Sequence, residues 1–593
     1  MRFAQLAPLF LCAVAAAGPS FAADPASPEA PLDGETVETV EVTGSRLGAE
    51  IRPVKVLDRG QIERLPVADA AGALSYVAGV DLRERAPFGA QADLSLYGSG
   101  FEGVLVLVDG MPVVDPQTGH HLLEFLPPLA SIERIEVLEG PAAAAYGPGA
   151  FGGVVQIVTR RPEREAKAAG GLAAGQNGLR RGELYGTSGD ASLAASRTVA
   201  DGYRPDTDLA DTRLLGRFAR GPWDVEALYQ DKRFGAWEAY SGTYPNQWES
   251  VRGVAGRAAW RSGGWEAAFG WRRKRDEFLL DRDRPSFYDA IHTTDGQTLS
   301  LSRRVELGRG AEMAVGLDGS RESIDSNVLG DRNRGRGGLF AELHVVSGGF
   351  ETSVGARAER AVGRTWFLPQ IAAMRAAGSW RFTASLGRAM RLPSFTELYS
   401  NSPAYVGDPN LVAETAWGLE LGARGPAGPL DVSVKLFHRR GDDMIDLVRP
   451  VGETGPFREA NIESQRLDGV DAAVEGPLGG GFRFRVDGMY LAQSADWPRA
   501  LDSRYVGDIL KHRETAAILY GAGPFSATAT LRAQQRQDGV GHAEVDLRFA
   551  SRLGRGGRTE ISLDVRNALD QPDRNFYGGE LAGRWIWLGV EFR

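Results

Sequence analysis

Two groups of side chains have residue types that bind metal ions. His120 and His121 are adjacent in the polar segment DPQTGHH, and imidazole nitrogens are common ligands of transition metals. Asp206, Asp208 and Asp211 are closely spaced in ADGYRPDTDLAD, and carboxylate oxygens are the ligands that Ca²⁺ prefers. Adjacent histidines are a weak signal, and the acidic segment lacks the complete EF-hand spacing. The sequence therefore predicts no cofactor, and calcium at the three aspartates is the alternative that it leaves open.

A glycine-rich segment offers a different chemistry. Gly147 to Gly152 reads G-x-G-x-x-G, which in dinucleotide-binding proteins leads into a helix whose N-terminus holds the pyrophosphate. Here the strand-like run VVQIV follows and Pro148 lies in the turn, so we predict tight turns and no nucleotide. The seven histidines lie in unrelated contexts and form no Ser/His/Asp set. We therefore predict no enzyme and no catalytic residue.

The glycine segment belongs to a stretch, Val104 to Thr159, that reads as three short strands separated by turns. Its strand-like runs are VLVLV, IERIEVLE and VVQIVT. We interpret the stretch as part of a small folded unit that precedes a much larger region of another kind.

That larger region begins at about Arg161 and repeats short alternating segments between Gly, Pro, Asp and Asn residues. In LDVSVKLFH, Leu430, Val432 and Val434 face one way while Asp431 and Ser433 face the other. This period also fits a soluble sandwich, but full charges on the opposite face and aromatic residues at strand ends favour a membrane β-barrel. At roughly 20 residues a strand, the region accommodates about 22 strands, and so wide a pore needs a plug.

Composition and the N-terminus agree with export. Residues 1–22 have Arg2, an apolar run and the small-residue site SFA of a secretory signal peptide. Cys12, the single cysteine, lies within it, so we expect neither disulfides nor thiolate metal sites in the mature chain. A net charge of −9 argues against nucleic acid as a partner.

Several motifs in this order resemble those of a TonB-dependent outer-membrane receptor: LVLVDGMPV, IERIEVLEGP, AYGPGAFGGVVQIVT, RLPSFTELYS, GDPNLVAETAWGLELG and NIESQRLDGVDAAVEG. The resemblance covers nearly the whole mature chain. It implies an all-β membrane protein with a 22-stranded antiparallel transmembrane barrel and an N-terminal α+β plug inside it. The implied divisions are a flexible periplasmic segment at 23–48, a plug at 49–160 and a barrel at 161–593.

The resemblance also implies a coupling segment and partners. Residues Glu38, Thr39, Val40, Glu41, Val42 and Thr43 resemble the TonB box, an extended strand that adds to the edge of a partner's sheet. The implied partners are the periplasmic protein TonB, outer-membrane lipid and lipopolysaccharide, and a metal-chelate or cobalamin ligand. We expect a monomer in the outer membrane.

Ligand contacts are expected on two plug loops, residues 83–101 and 114–128, and on the barrel mouth. Arginine and aromatic side chains there would suit an anionic or ring-bearing ligand. The candidates are Arg83, Arg85, Phe88, Gln91, Gln117, His120, His121, Trp237 and Tyr240. The aromatic stretch that contains Trp237 and Tyr240, from Phe234 to Trp248, reads either as a binding rim or as an interfacial girdle, and we slightly favour the girdle.

Two departures from the family pattern concern how the plug is held. Many relatives have arginines at the positions of Tyr97 and Glu139, facing paired carboxylates that match Glu420 and Asp471. Without them the usual plug–barrel lock is in doubt, and Arg134 or Arg160 are the candidate substitutes. Arg593 also extends past the terminal aromatic residue Phe592, which bears on recognition by the assembly machinery.

The function implied is energy-coupled import of a scarce nutrient, a ferric siderophore or cobalamin. The alternative from another class is a passive porin or an adhesin-type barrel without energy coupling. Such a protein needs neither a plug nor a coupling strand, so residues 36–160 argue against it.

Overall fold

The computed structural model describes residues 51–592 except 87, 403–404, 497–500, 507, 555 and 575–578. The predicted signal peptide, the TonB box and Arg593 lie outside the described residues. No helix among the described residues has the length and apolarity to cross a bilayer.

Residues 51–160 form a small α+β unit. Its five-stranded sheet has the order β1-β6-β7-β4-β5, in which β4 and β7 are parallel, and a separate hairpin joins β2 to β3. The strands are β1 (Val54–Asp58), β2 (Val80–Ala86), β3 (Gln91–Leu96), β4 (Val104–Val108), β5 (Met111–Pro112), β6 (Ile132–Glu139) and β7 (Gly153–Thr159), and the helices are α1 (Arg59–Glu63), α2 (Ala70–Leu74) and α3 (Ala143–Tyr146). Every residue of β4 and β7 is buried, as expected for strands with both faces covered.

Residues 167–592 form a closed barrel in which each long strand pairs with the next long strand and the last pairs with the first. Its strands are β8 (Lys167–Gly175), β9 (Arg180–Ser188), β10 (Ala191–Ala200), β11 (Leu209–Arg220), β12 (Trp223–Gly235), β13 (Trp248–Ser262), β14 (Trp265–Leu279), β15 (Asp289–Gly308), β16 (Ala311–Ser326), β17 (Arg332–Ser347), β18 (Phe350–Ala361), β19 (Arg364–Ala377), β20 (Trp380–Arg391), β21 (Tyr405–Val406), β22 (Glu414–Ala427), β23 (Leu430–Pro450), β24 (Phe457–Gly479), β25 (Phe482–Asp496), β26 (Leu501–Ser503), β27 (Leu510–Ala522), β28 (Phe525–Arg536), β29 (Gly541–Leu553), β30 (Thr559–Arg566) and β31 (Trp585–Phe592). A short helix, α4 (Phe395–Tyr399), precedes β21. Two short strands add to the outer ends of the wall, β21 to β24 and β26 to β23. The wall itself therefore has 22 antiparallel strands in the described residues, as predicted.

The strands confirm the predicted alternation of apolar and polar faces. In β12, Asp224 and Glu226 are buried towards the interior, whereas Trp223 and Val225 are exposed on the outside. A soluble sheet shows the opposite arrangement, because only lipid makes the apolar face the outer one.

Turn length and aromatic residues orient the barrel. The turns after β9, β11 and β13 have two residues each, whereas 392–413 and 567–584 are long loops at the other end. Short turns mark the periplasmic end and long loops the extracellular end. Exposed aromatic residues begin five of the strands that leave the short-turn end, as an interfacial girdle requires: Trp223, Trp265, Phe350, Phe482 and Phe525.

Candidate functional site

A cavity of about 460 Å³ lies between the plug and the long-loop end of the barrel. Plug loops line one side of it, and residues of β13, β14, β20, β24 and the loop 392–413 line the other. Its volume falls within the range of small-ligand sites. It lies on the extracellular side of the plug.

Carboxylates and aromatic rings dominate the lining. Two arginines, Arg85 and Arg391, reach the cavity. The acidic lining residues in the described chain are Glu102, Glu249, Asp276, Glu397, Glu414 and Glu459, and the aromatic ones are Phe101, Tyr240, Tyr244, Phe278, Tyr288 and Tyr505.

Both lining arginines have carboxylate partners. Arg85 donates through Nε and Nη2 to Asp93 Oδ2, at 2.9 and 2.6 Å, and through Nη1 to the carbonyl of Ala239 at 2.6 Å. Arg391 donates to Glu397 at 2.8 Å and to Glu414 at 2.6 Å. The sequence predicted arginines available to an anionic ligand, but these guanidinium groups already neutralise acidic neighbours.

Five of the predicted contact residues line the cavity: Arg85, Gln117, His120, His121 and Tyr240. The rest lie elsewhere. Arg83 pairs with Asp508 at 2.7 Å, Phe88 packs edge-on against Trp585 at 4.6 Å, and the amide of Gln91 donates to the carbonyl of His120. Trp237 lies beneath the Arg204 guanidinium, 5.4 Å from the ring centroid. Contact with a ligand stays a prediction for all nine residues.

The girdle interpretation is wrong for part of the aromatic stretch. Tyr240 and Tyr244 line the cavity, and Phe234 is fully buried inside the barrel. The Tyr240 hydroxyl donates to Glu249 Oε2 at 2.6 Å. Tyr240 and Tyr244 belong to the loop that joins β12 to β13, which folds inward, whereas Phe234 lies in β12 with its side chain on the inner face.

His121 is at the centre of a buried polar network. Its Nε2 lies 3.0 Å from Glu249 Oε1, and Lys274 Nζ contacts its Nδ1. The same ammonium lies 3.0 Å from Asp115 Oδ2 and donates to Gln117 Oε1 at 3.2 Å. Burial, together with the Lys274 charge, lowers the pKa of His121 to about 4. The imidazole is therefore neutral at physiological pH.

A barrel loop is hydrogen-bonded to the plug at the edge of the cavity. The backbone N–H groups of Phe395 and Thr396, at the start of α4, donate to the carbonyls of Pro116 and Gln117, each at 2.9 Å. Ser394 and Glu397 cap α4 reciprocally. The sequence RLPSFTELYS therefore places the outer loop directly on the plug loop that carries His120 and His121.

Glu102 brings a further carboxylate to this junction. It accepts from the Gly119 N–H at 2.6 Å. Burial, followed by the charge of Glu397, raises the pKa of Glu102 to about 8. Glu102 therefore keeps its proton at neutral pH, which removes one negative charge from the lining.

The predicted calcium residues have cationic partners in the structure. Arg282 Nη1 donates to Asp206 at 2.8 Å and to Asp208 at 2.6 Å. Asp211 accepts from Arg213 Nε at 2.7 Å. Calcium there stays a prediction, and its binding would require Arg282 to move away.

Tyr97 and Glu139 do form a plug–barrel lock, with cations from other positions. Lys55, in β1 of the plug, donates to Asp471 Oδ2 of the barrel at 2.6 Å and lies 3.3 Å from Glu139. Lys435 of the barrel pairs with Glu139 of the plug. The two pairs have opposite polarity, so each partner supplies one anion and one cation.

Tyr97 joins the two pairs. Its hydroxyl oxygen accepts from Lys55 Nζ at 2.8 Å, donates to Asp471 at 2.7 Å and also contacts Glu139. Burial, followed by the charge of Asp471, raises the pKa of Tyr97 well above its usual value, so the hydroxyl keeps its proton. Its ring packs edge-on against Phe437 at 5.2 Å.

The suggested substitutes Arg134 and Arg160 are not part of this lock. Arg134 donates to Glu136 at 2.7 Å, and Arg160 lies 4.0 Å above the Tyr185 ring. The second barrel carboxylate, Glu420, lies against Gly140, where an added Cβ would be 2.0 Å from Oε1. Lys55 could not be identified from the sequence, because nothing local marks it as a partner of a residue 416 positions away.

The G-x-G-x-x-G segment forms tight turns that pack within the plug, as predicted. Gly147 ends α3 at a φ of 88°, and the Gly152 N–H donates to the carbonyl of Gly103 at 2.7 Å. A Cβ at Gly152 would lie 2.1 Å from Ser99 Oγ. Strand β7 follows, so the helix that a dinucleotide site needs is replaced by a strand.

The plugged barrel, the inward-folded loops and the outward-facing cavity together define an outer-membrane receptor. Residues 49–154 match the family model described as TonB-dependent Receptor Plug Domain, and residues 165–583 match the model described as TonB dependent receptor-like, beta-barrel. The chain belongs to the family of TonB-dependent receptors. It is therefore a multi-pass β-barrel protein of the outer membrane whose general function is TonB-dependent import.

Individual relatives are distant. The chain is 24% identical over 469 residues to the vitamin B12 transporter BtuB of Vibrio vulnificus, covering 74% of this chain and 75% of the relative. The BtuB of Photobacterium profundum is 23% identical over 472 residues, covering 74% and 76%.

Solved structures share the fold. A mutant of the ferric enterobactin receptor PfeA of Pseudomonas aeruginosa superposes with a TM-score of 0.74 at 17% identity, covering 91% of this chain and 98% of that one. The copper transporter OprC superposes with a TM-score of 0.75 at 17% identity, covering 93% and 99%.

Proposed function

We propose that this receptor imports a scarce, metal-containing nutrient of neutral or positive charge, with cobalamin as the first candidate and a ferric siderophore as the second. The observation that carries this choice is the charge of the cavity. Six acidic side chains line it, of which Glu102 keeps its proton at neutral pH, and both lining arginines are paired with carboxylates.

Charge argues against strongly anionic ligands. A ferric catecholate is multiply negative, and placing it beside these carboxylates would add like-charge repulsion in a partly desolvated site. Cobalamin carries many amide groups, whose N–H donors can bond to carboxylate oxygens, and its flat ring system can pack on the six aromatic side chains. Cationic ferric hydroxamates also fit the charge, so a siderophore remains the second candidate.

The sequence relatives agree with the first candidate, since both BtuB proteins are named for vitamin B12 transport. The proposed cycle follows from the architecture. A ligand in the cavity contacts plug and barrel together and shifts the plug towards a state that exposes Thr39 to Thr43, which TonB then engages.

The test has a binding part and a transport part. Purified receptor in detergent is titrated by calorimetry with cyanocobalamin, a ferric catecholate and a cationic ferric hydroxamate. We expect submicromolar binding of cyanocobalamin and none of the catecholate. Tight catecholate binding without cobalamin binding would contradict the charge argument.

Transport is measured as uptake of labelled ligand into cells that lack their own receptor. Deletion of residues 38–43 should abolish energy-dependent uptake and leave binding unchanged. Uptake that survives the deletion would instead support the passive porin or adhesin alternative.

A further inference from the structure

Three side chains with metal-binding chemistry meet where the plug joins the barrel wall. His121 comes from the plug, Glu249 from β13 and Asp276 from β14, and one nitrogen or carboxylate oxygen of each lies within 4.8 Å of the other two. All three side chains are buried. They also line the central cavity. The group therefore exists only while the plug is seated.

An independent observation shows that one carboxylate oxygen of this group lacks a hydrogen-bond partner. Asp276 is 2% exposed, and its Oδ1 has no hydrogen-bond partner among the described residues. Its Oδ2 accepts from Gln117 Nε2 at 3.0 Å. A buried carboxylate oxygen without a donor is costly and rare in folded proteins. His292 Nδ1, in the wall of the same cavity, is likewise buried and without a partner in the described chain.

We propose that His121, Glu249 and Asp276 bind a divalent transition-metal ion that bridges plug and barrel. One imidazole and two carboxylates form a mixed nitrogen and oxygen ligand set, which suits Zn²⁺, Co²⁺, Ni²⁺ or Cu²⁺. Ca²⁺ and Mg²⁺ prefer oxygen ligands alone. An ion held here would supply the partner that Asp276 Oδ1 lacks, beside the cavity that all three residues line.

The protons balance in this step. The neutral His121 ring shares its Nε2 proton with Glu249 Oε1, 3.0 Å away. Metal binding at Nε2 releases that proton to solvent, and Lys274 passes one of its protons to Nδ1, so the ring remains a neutral imidazole and the lysine becomes a neutral amine. Lys274 continues to contact Nδ1 and Asp115. Because the lysine must give up a proton for the metal to bind, binding is weakened, and we expect an exchangeable ion.

The site would add a link between plug and barrel, because one ligand belongs to the plug and two to the wall. It does not depend on the identity of the imported nutrient. Failure of cobalamin to bind would contradict the proposed function and leave the metal site untouched, so the two proposals fail separately.

The test uses the full mature protein in detergent and Co²⁺ as the probe. Visible absorption and calorimetry are expected to show one bound Co²⁺ per chain. His121→Gln and Asp276→Asn should each weaken binding at least ~10-fold, the minimum expected when a ligand is removed. His438→Gln is the matched control, since His438 also lies 2.7 Å from a carboxylate, Asp468, but is 48% exposed.

Folding is checked by the heat-dependent gel mobility that a closed barrel gives. Asp276→Asn keeps the shape of the side chain and an acceptor for Gln117, so it should assemble normally. The proposal is overturned if the native protein binds no Co²⁺. It is overturned equally if assembled His121→Gln and Asp276→Asn bind it as the native protein does, or if His438→Gln loses it too.

Discussion

The lock between plug and barrel yields a quantitative prediction through Lys55. Replacing Lys55 by methionine leaves Asp471 buried and without its ammonium partner. Removing one partner of a buried pair costs about 3–5 kcal/mol. Lys55 is 20% exposed and Tyr97 still donates to Asp471, so we lower the value to about 2 kcal/mol.

A loss of about 2 kcal/mol raises the population of the unlocked plug ~30-fold. Amide hydrogen exchange measures this population, because amides that open with the plug exchange in proportion to the opening equilibrium. Strand β1 carries Lys55 and is the edge strand of the plug sheet, paired with β6, so its amides exchange when the unlocked strand separates from β6. We expect their exchange in the Lys55→Met protein to be ~30-fold faster than in the native protein.

Two comparisons make the result interpretable. Lys167→Met removes a lysine of the exposed pair with Glu163, in which the side chains are 53% and 39% exposed, and should leave β1 exchange unchanged. A double-mutant cycle with Asp471→Asn should give a coupling energy of about 1–2 kcal/mol. An increase below ~3-fold in Lys55→Met, or coupling near zero, would show that Lys55 does not hold the plug.

Three further perturbations concern other positions in the plug. Gly79→Ala places a Cβ 2.1 Å from the Tyr97 ring at a φ of +85°, so we expect plug amides to exchange at least as fast as in Lys55→Met; native-like exchange would mean that Tyr97 moves without consequence. Phe88→Ala removes the ring that packs on Trp585 and should cost about 3–5 kcal/mol, measured as a lower denaturant midpoint for plug opening, with Phe287→Ala on an exposed loop as the control. The pKa of Glu102 is raised from 4.5 to about 8 by burial and Glu397, so the folded plug holds a proton that the unfolded chain has lost, and plug stability falls as pH rises from about 4.5 to 8. Glu102→Gln should flatten thermal stability across that window, and an unchanged slope would assign the pH dependence to other groups.

Local sequence patterns predicted the architecture well. The alternation in β12, β23 and β30 reports which face meets lipid, because each strand crosses the membrane and must satisfy this condition along its own length. The plug strands were equally visible, since β4, β6 and β7 are short apolar runs bounded by turn residues.

The site was only partly predictable. Loop position placed Gln117, His120 and His121 at the cavity. It could not show that Arg85 donates hydrogen bonds to Asp93 and to the carbonyl of Ala239. Nor could it show that the Tyr240 hydroxyl donates to Glu249 inside the barrel. Such contacts depend on which elements meet in the folded protein, and the local sequence around each residue does not show this.

By itself, the sequence determined that this chain is a plugged β-barrel, because hydrophobic periodicity and turn residues act within each strand and each turn. Only the tertiary structure decided how the plug is held and what the cavity favours. Lys55 meets Asp471 across 416 residues of chain, and His121 meets Glu249 and Asp276 from separate elements. Closing the barrel around the plug creates these contacts, because it brings together residues that lie far apart in the chain.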